Sequence, residues 1–324
     1  MNKPAYTVCV APMMDWTDRH CRYFLRLISK HTLLYTEMVV AEALLHADPD
    51  RFLAHDPAEA PLALQLGGSD PESLSRAAAL GQQFGYDEIN LNVGCPSDRV
   101  QSGRFGACLM DEPDLVADCV TAMRDTVSVP VTVKTRIGID DRDDYKYLHD
   151  FVATVVDAGC KRFIVHARKA ILKGLSPKQN REIPPLDYSM AARLKSDFGG
   201  LAIILNGGIK SIEDLTRHLD AFDGVMIGRE AYSNPYLLAE VDQRIYKDAS
   251  TTQSRFEILS AYETYVTKQL ESGVPLNRML RHVLGLFQGC QGARNWRRHL
   301  SENANLPGGS AALLQVAREF VQLA

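Results

Sequence analysis

Glu88-Ile-Asn-Leu-Asn-Val-Gly-Cys-Pro-Ser-Asp98 begins as a strand and stops abruptly. Ile89, Leu91 and Val93 alternate with Asn90, Asn92 and Gly94, the period-2 pattern of a strand with two unlike faces. Gly94 and Pro96 then bracket Cys95 and end it. Two asparagines on one face, followed by a thiol held between Gly and Pro, are poor core material. They read as a polar set aimed into a pocket. Taken alone, the segment still favours the plainer reading, a buried strand ending in an inert cysteine, because free Cys is among the most buried residue types. The rest of the chain has to decide.

Working outward, short apolar runs of the same kind recur at Thr7–Met13, Leu33–Val39, Leu62–Gly68, Val131–Ile137, Arg162–Arg168, Ala202–Gly208 and Gly224–Arg229. Most are near-continuously apolar, as strands of a parallel sheet covered by helices are. Helical patterns separate most of them: His20–Lys30, Pro71–Phe84 after the capping pair Ser69-Asp70, Leu115–Thr126, Tyr145–Ala158, Ser189–Asp197 and Ser211–Leu219. Strands alternating with helices in this way predict an α/β fold, a (β/α)8 TIM barrel. A doubly wound sheet is the second choice. It would normally carry a Gly-rich dinucleotide turn after its first strand, where this chain has Ala11-Pro-Met-Met-Asp15. Past residue 245 the strands stop. A polar linker, Asp248–Gln253, leads to four helical patterns at Arg255–Glu271, Asn277–Gln288, Ala293–Glu302 and Gly309–Ala324. The expected division is a barrel domain over 1–245 and an all-helical domain over 246–324.

Composition narrows the class. The chain has 324 residues, 46% hydrophobic and 23% charged, with a net charge of −4, so a nucleic-acid site would have to be a local patch rather than a global basic field. Seven cysteines without a CxxC pair argue against a disulfide framework or a zinc site, and no metal is expected. Neither a signal-peptide core nor a membrane-length apolar stretch is present, which predicts a cytoplasmic protein.

In a barrel the active site forms where the strands run out at their C-terminal ends. Those positions are Ala11-Pro12-Met13, Gln65 before Gly67-Gly68, Asn92 with Cys95, Lys134 with Arg136, His166-Ala-Arg168, Asn206-Gly207-Gly208 and Gly228-Arg229. Gly-rich turns after the last two strands are the usual phosphate cradle of a barrel, because backbone N–H groups approach closely where no Cβ intervenes. Lys134 inside a strand is costly unless it meets an anion or water; alone it reads as well as a snorkelling core lysine. His166 and Gln65 are weak signals singly. Gathered on one rim, the three suit the electron-rich edge of a flavin, where a cation stabilises the anionic reduced ring and amides bond its heteroatoms.

Together Ala11-Pro-Met, Leu64-Gln-Leu-Gly-Gly, Asn90-Leu-Asn-Val-Gly-Cys-Pro-Ser, Val133-Lys-Thr-Arg, His166-Ala-Arg, Asn206-Gly-Gly and Gly228-Arg resemble the tRNA-dihydrouridine synthases, FMN-dependent barrels that reduce uridine in tRNA to 5,6-dihydrouridine. Asp15-Trp-Thr-Asp-Arg-His-Cys-Arg, Gly208-Ile-Lys, the stretch from Ser176 to Tyr188 and Asn295-Trp-Arg-Arg resemble the subgroup acting in the D-loop at positions 20 and 20a. The resemblance implies FMN contacts from Ala11, Pro12, Met13, Gln65, Lys134, His166, Asn206, Gly207, Gly208, Gly228 and Arg229, with NADPH as electron donor. It also implies hydride transfer from the flavin N5 to uracil C6, with Cys95 as the acid that protonates C5. A thiol titrates ordinarily near 8.5, so near neutral pH it can donate. Asn92, carrying both a donor and an acceptor, suits the uracil imide edge, and Lys134 and Arg136 can offset developing negative charge.

The base must leave the RNA fold to reach a flavin, so an RNA-holding surface is expected outside the barrel mouth. One patch is Lys169, Lys173, Lys178 and Arg181; the other is Arg294, Arg297 and Arg298 beside Trp296, at helical i,i+3 and i,i+4 spacing. With the resemblance, Asn92, Arg136, Lys178, Arg181, Arg294 and Arg297 are the expected substrate and tRNA contacts, on a protein acting as a monomer. Two rivals remain: an FMN barrel acting on a free pyrimidine, which would not need the helical domain, and a tRNA-binding protein that keeps the barrel only as a scaffold.

Overall fold

Nine parallel strands close into one barrel in the computed structural model, which describes residues 3–322, the side chain of Arg99 excepted. They are β1 (Val8–Val10), β2 (Leu33–Tyr35), β3 (Val39–Val40), β4 (Leu62–Gly67), β5 (Glu88–Val93), β6 (Val131–Arg136), β7 (Arg162–His166), β8 (Ala202–Asn206) and β9 (Gly224–Ile227). Each pairs in parallel with its neighbours; β9 returns to β1, and β2 also pairs with β4, which closes the ring. The expected strand Leu33–Val39 is split. Leu34 pairs with Leu62 and Val39 with Leu66, so five steps on one side face four on the other. That one-residue bulge makes β2 and β3 a single interrupted barrel strand, and the barrel is eight-stranded, as predicted.

The alternation read in the sequence is the division between inside and outside. Ile89, Leu91 and Val93 join the large core between sheet and helices, while Glu88, Asn90 and Asn92 point into the barrel. The interior is filled by Cys9, Ala11, Leu33, Tyr35, Ala63, Ile164, Ile204 and Met226, so it is packed rather than hollow below the mouth. Burying both sheet faces is what makes the strands so apolar.

The helices over the sheet fall close to their predicted places, at Arg19–Ile28, Pro71–Gln83, Pro113–Thr126, Tyr145–Asp157, Tyr188–Asp197 and Ile212–Leu219. Asp18, Asp70, Asp144, Asp187 and Ser211 cap five of them through side-chain oxygens. Beyond residue 250, Arg255–Glu271 forms as expected and starts in a capping box of Ser254 and Glu257. Asn277–Gln288 does not become one helix. Helix Leu276–Leu280 gives way to a run of tight turns through Cys290. There the chain presses on the barrel: a Cβ at Gly285 would lie 2.6 Å from the Ser233 carbonyl oxygen. The apolar positions Val283, Leu286 and Phe287 are still buried, so the burial pattern holds while the helix does not. The last helices are Ala293–Asn303 and Ala312–Arg318; Met1, Asn2 and the final two residues of the expected segments lie outside the described residues. Among the described residues no helix is long and apolar enough to cross a membrane.

The helical part is anchored beside the barrel mouth. Asp18 pairs with Arg281 at 2.6 Å and with His282 Nε2 at 3.0 Å. Tyr232 Oη lies 3.1 Å from His282 Nδ1, and Tyr23 stacks on Tyr265 with ring centroids 3.9 Å apart.

Candidate active site

Because all strands run the same way, their C-terminal ends share one mouth, and the loop after β5 crosses it. Cys95 sits in that loop, half-buried, its Sγ 3.6 Å from Ser97 Oγ. The loop is cradled. Asn92 Oδ1 accepts from the N–H groups of Gly94 (3.1 Å) and Cys95 (3.0 Å), and Ala107 N–H donates to the Cys95 carbonyl at 2.9 Å. Asn92 is 8% exposed, and its Nδ2 donates to Gln65 Oε1 at 2.8 Å. The acceptor expected to read a base is thus already committed to shaping the cysteine turn.

The Asn92–Gln65 bond is the first rung of an interior ladder. Gln65 Nε2 donates to Asn90 Oδ1 at 2.8 Å, Asn90 Nδ2 to Thr132 Oγ1 at 2.8 Å, and Thr132 Oγ1 to Glu88 Oε1 at 2.6 Å. Buried polar groups need partners, and these side chains supply one another.

Beside the cysteine loop, on the adjoining strands, stands a group of cations. Lys134 on β6 is partly buried, with no ion-pair or hydrogen-bond partner among the described residues. Burial first, then the neighbouring Arg136, pushes its ammonium down to about 7. His166 is 8% exposed, and burial followed by Arg136 and Lys134 holds its imidazole well below its ordinary range, hence neutral at physiological pH. Arg168 donates to the carbonyls of Glu182 and Pro184, and burial lowers its guanidinium. Arg229 is exposed and pairs with Glu182 at 2.5 Å. Four cationic side chains, Lys134, Arg136, Arg168 and Arg181, thus lie near one another with few carboxylates to balance them.

The turns after β8 and β9 complete the mouth. Asn206 is buried and donates to the Met226 carbonyl at 2.8 Å, tying the two strand ends together. Gly207 and Gly208 have φ of 114° and 77°, left-handed values that disfavour any side chain. A Cβ at Gly207 would strike the His166 ring at 2.8 Å, whereas one at Gly228 would meet open space. Ala11 N–H closes the barrel on the Ile227 carbonyl at 2.8 Å; Pro12 and Met13 line the rim, half-buried.

This donor set fits a bound flavin mononucleotide. It offers backbone unobstructed by Cβ atoms where a phosphate needs close approach, and unbalanced cations where an anionic ring needs charge. Lys134, His166 and the Gly207, Gly208 and Gly228 turns are the residues that would hold it. Gln65, 1% exposed, has both amide ends engaged by Asn90 and Asn92, leaving one N–H of its Nε2 for such a ligand.

Two residues of the expected substrate and RNA-facing sets lie buried, Arg136 and Trp296. Arg136 is not at a surface. It is 4% exposed, its Nε donates to the Gly94 carbonyl at 3.1 Å, and its Nη1 donates to those of Asn180 (3.0 Å) and Lys169 (3.4 Å). A strand-end arginine can turn inward to satisfy loop carbonyls, which no local pattern reveals. Trp296, next to the arginines in sequence, points the other way from the exposed Arg294 and Arg298. It is fully buried, its indole N–H donates to the Val283 carbonyl at 3.2 Å, and it packs edge-on against Phe287. Lys178 and Arg181 are exposed in the segment after β7. Arg294 and Arg298 are exposed on helix Ala293–Asn303, and Arg297 is half-buried with Nη1 on Gln288 Oε1 at 3.2 Å. Sequence reading did not single out Ser97, Gln101 or Asn180. Only the proximity of Ser97 to Cys95 offered a signal.

The family model described as dihydrouridine synthase (Dus) matches residues 9–322. A curated tRNA-dihydrouridine(20/20a) synthase of Vibrio parahaemolyticus is 62% identical over 309 residues, covering 95% of this chain and 94% of that protein. Proteins of the same name from Escherichia coli and Pseudomonas putida are each 58% identical, covering 98% and 99% of this chain and 96% and 95% of theirs. Among solved structures, a complex of 2-naphthoyl-CoA reductase with 2-naphthoyl-CoA aligns with a TM-score of 0.57 at 11% identity, covering 76% of this chain and 51% of that one, a likeness of fold alone. A family match over nearly the whole length, joined to relatives this similar, means that the chain belongs to the dihydrouridine synthase family.

Proposed function

We propose that this protein reduces uridine to 5,6-dihydrouridine in the tRNA D-loop, at positions 20 and 20a, the positions in the names of its curated relatives. FMN is the resident cofactor and NADPH the electron donor. The observation that carries this reading is the mouth itself: a half-buried thiol on a cradled loop sits beside a group of cations short of anions. When bound, FMN supplies the hydride that uracil C6 accepts. As C6 gains it, charge develops towards C5 and the C4 carbonyl, and Lys134 is placed to offset that charge. The Cys95 S–H bond breaks and its proton goes to C5, leaving a thiolate that solvent reprotonates once the half-buried thiol is uncovered. Asn92 serves this step chiefly by shaping the Cys95 turn, and its remaining amide hydrogen is the one left for the base.

Residues 1–245 are read as the catalytic barrel and 246–324 as the part that holds RNA. Lys178 and Arg181 beside the mouth, and Arg294 and Arg297 on the helical part, are the proposed phosphate contacts. The barrel mouth alone would serve a free pyrimidine. The second basic patch, fixed beside it through Asp18, Arg281 and His282, favours a large substrate.

The test is a single-turnover reaction of reduced, flavin-loaded protein with unmodified tRNA. Wild type should reoxidise its flavin and form dihydrouridine. Cys95→Ala should bind FMN and tRNA normally yet react slower by about 10²–10⁴-fold. Undiminished reduction of uridine by Cys95→Ala would remove the thiol from the mechanism.

A further inference from the structure

Arg136 poses an energetic problem that its expected role does not solve. It is a buried guanidinium without a carboxylate partner among the described residues, and burial pushes it down to about 10. An apolar side chain of similar length would fill the space without that desolvation cost. What it would forfeit is the set of carbonyl bonds. Those carbonyls belong to two segments far apart in sequence: Gly94, which precedes Cys95, and Lys169 with Asn180, on either side of the loop after β7.

A second, independent tie joins the same two segments. Gln101 Nε2 donates to the Pro96 carbonyl at 2.9 Å and to the Leu172 carbonyl at 2.8 Å. The far segment is itself braced. Asn180 is fully buried, its Oδ1 accepts from Ile171 N–H at 2.7 Å, and its Nδ2 donates to the Ile171 (2.8 Å) and Leu175 (3.2 Å) carbonyls. Its sequence neighbours Lys178 and Arg181 point to solvent. One side of this unit therefore carries exposed cations and the other carries the thiol.

We propose that Arg136 is a positioning residue: together with Gln101 it locks the Cys95 loop onto the Lys169–Arg181 segment, so that the RNA-facing surface and the proton donor move as one body. This rests on the reading of Cys95 as the acid and of Lys178 and Arg181 as RNA contacts. A proton donor displaced by about 1 Å loses on the order of 10²-fold in rate, so the lock would set the rate of the chemical step without adding a contact to the RNA.

The experiment uses full-length Arg136→Lys and Arg136→Met, loaded with FMN, with wild type alongside. Hydrogen exchange followed by mass spectrometry reads segments 94–107 and 169–181, and single-turnover flavin reoxidation is measured at saturating tRNA. The lock predicts faster exchange in both segments together. It also predicts a reoxidation rate lower by about 10-fold in Arg136→Lys and 10²-fold in Arg136→Met, with tRNA affinity within about twofold of wild type. Weakened tRNA affinity with an unchanged rate at saturation would make Arg136 an RNA contact and overturn the proposal. So would wild-type exchange in either segment. If Arg136→Met does not fold, Arg136→Lys and Gln101→Leu decide. If wild type itself is not reoxidised by tRNA, the functional reading fails, and the exchange data still decide whether the two segments are locked.

Discussion

The barrel interior holds two sets of buried titratable groups at opposite ends of the same strands, and they are treated in opposite ways. At the N-terminal end, Glu88 opens β5 and Arg162 opens β7. Glu88 accepts from Tyr35 Oη at 2.6 Å and from Thr132 Oγ1 at 2.6 Å, and pairs with Arg162, whose guanidinium lies 3.9 Å over the Tyr6 ring. Burial raises the Glu88 carboxyl, and Arg162 is the first of the groups that pull it back. At the C-terminal end, Lys134 and His166 on β6 and β7 have no such partners among the described residues. The lesson is physical. A buried charge with its counter-charge in place is part of the wall, whereas one without it is held by the fold at a cost that a ligand relieves. The Asn92–Gln65–Asn90–Thr132 ladder joins the two ends and fixes the amides between them.

The largest break in this contrast should come from below. Glu88→Ala strands Arg162 and should destabilise the protein by about 3–5 kcal/mol, read from denaturant unfolding. A loss under about 1 kcal/mol would show the lower set is not the paired wall described. Lys134→Met should act with the opposite sign. It removes a charge that has no partner, so the flavin-free protein should gain about 1–2 kcal/mol, while flavin affinity falls at least about tenfold. Loss of both stability and flavin affinity would mean that Lys134 is paired.

Titration sharpens the same point. Lys134 is pushed down to about 7 in the fold but titrates ordinarily near 10.4 when unfolded. Between those values the unfolded chain binds the extra proton, so stability of the flavin-free protein should rise with pH from about 7 to about 10, by at most about 1.4 kcal/mol per pH unit. His166, also depressed, adds to the rise below about 6.5. The alkaline part of the slope should vanish in Lys134→Met. Flavin binding at pH 8 should take up a fraction of a proton, seen as a buffer-dependent calorimetric enthalpy.

The smallest effect concerns two charges on helix Ala293–Asn303, neither of them in an ion pair among the described residues. Replacing Arg294 and Arg297 by Glu should leave folding stability within about 0.5 kcal/mol. It should weaken tRNA binding and reduce the salt slope by roughly one unit for each phosphate no longer neutralised. Unchanged affinity at low salt would remove that helix from the RNA surface.

Much of this is legible in the sequence. Strands alternating with helices specify a barrel because a parallel sheet must bury both faces and each crossover needs a helix. Strand direction then sends Asn92, Cys95, Lys134, His166, Asn206 and Gly228 to one mouth. Three features were not legible. The bulge between β2 and β3 depends on register with β4. The turns after Leu280 depend on a close approach between Gly285 and the Ser233 backbone. The inward turn of Arg136 depends on carbonyls dozens of residues away.

Residue type and period, which are local, determined by themselves the barrel, its mouth and the thiol placed there. Whether a polar side chain meets RNA, a flavin or another part of the same chain is a question of partners, and partners are brought together only when the ring closes. That is why Lys134 and Arg136, two positions apart on one strand, part company: one is left facing the mouth without a counter-charge, and the other is consumed in holding the loops that frame it.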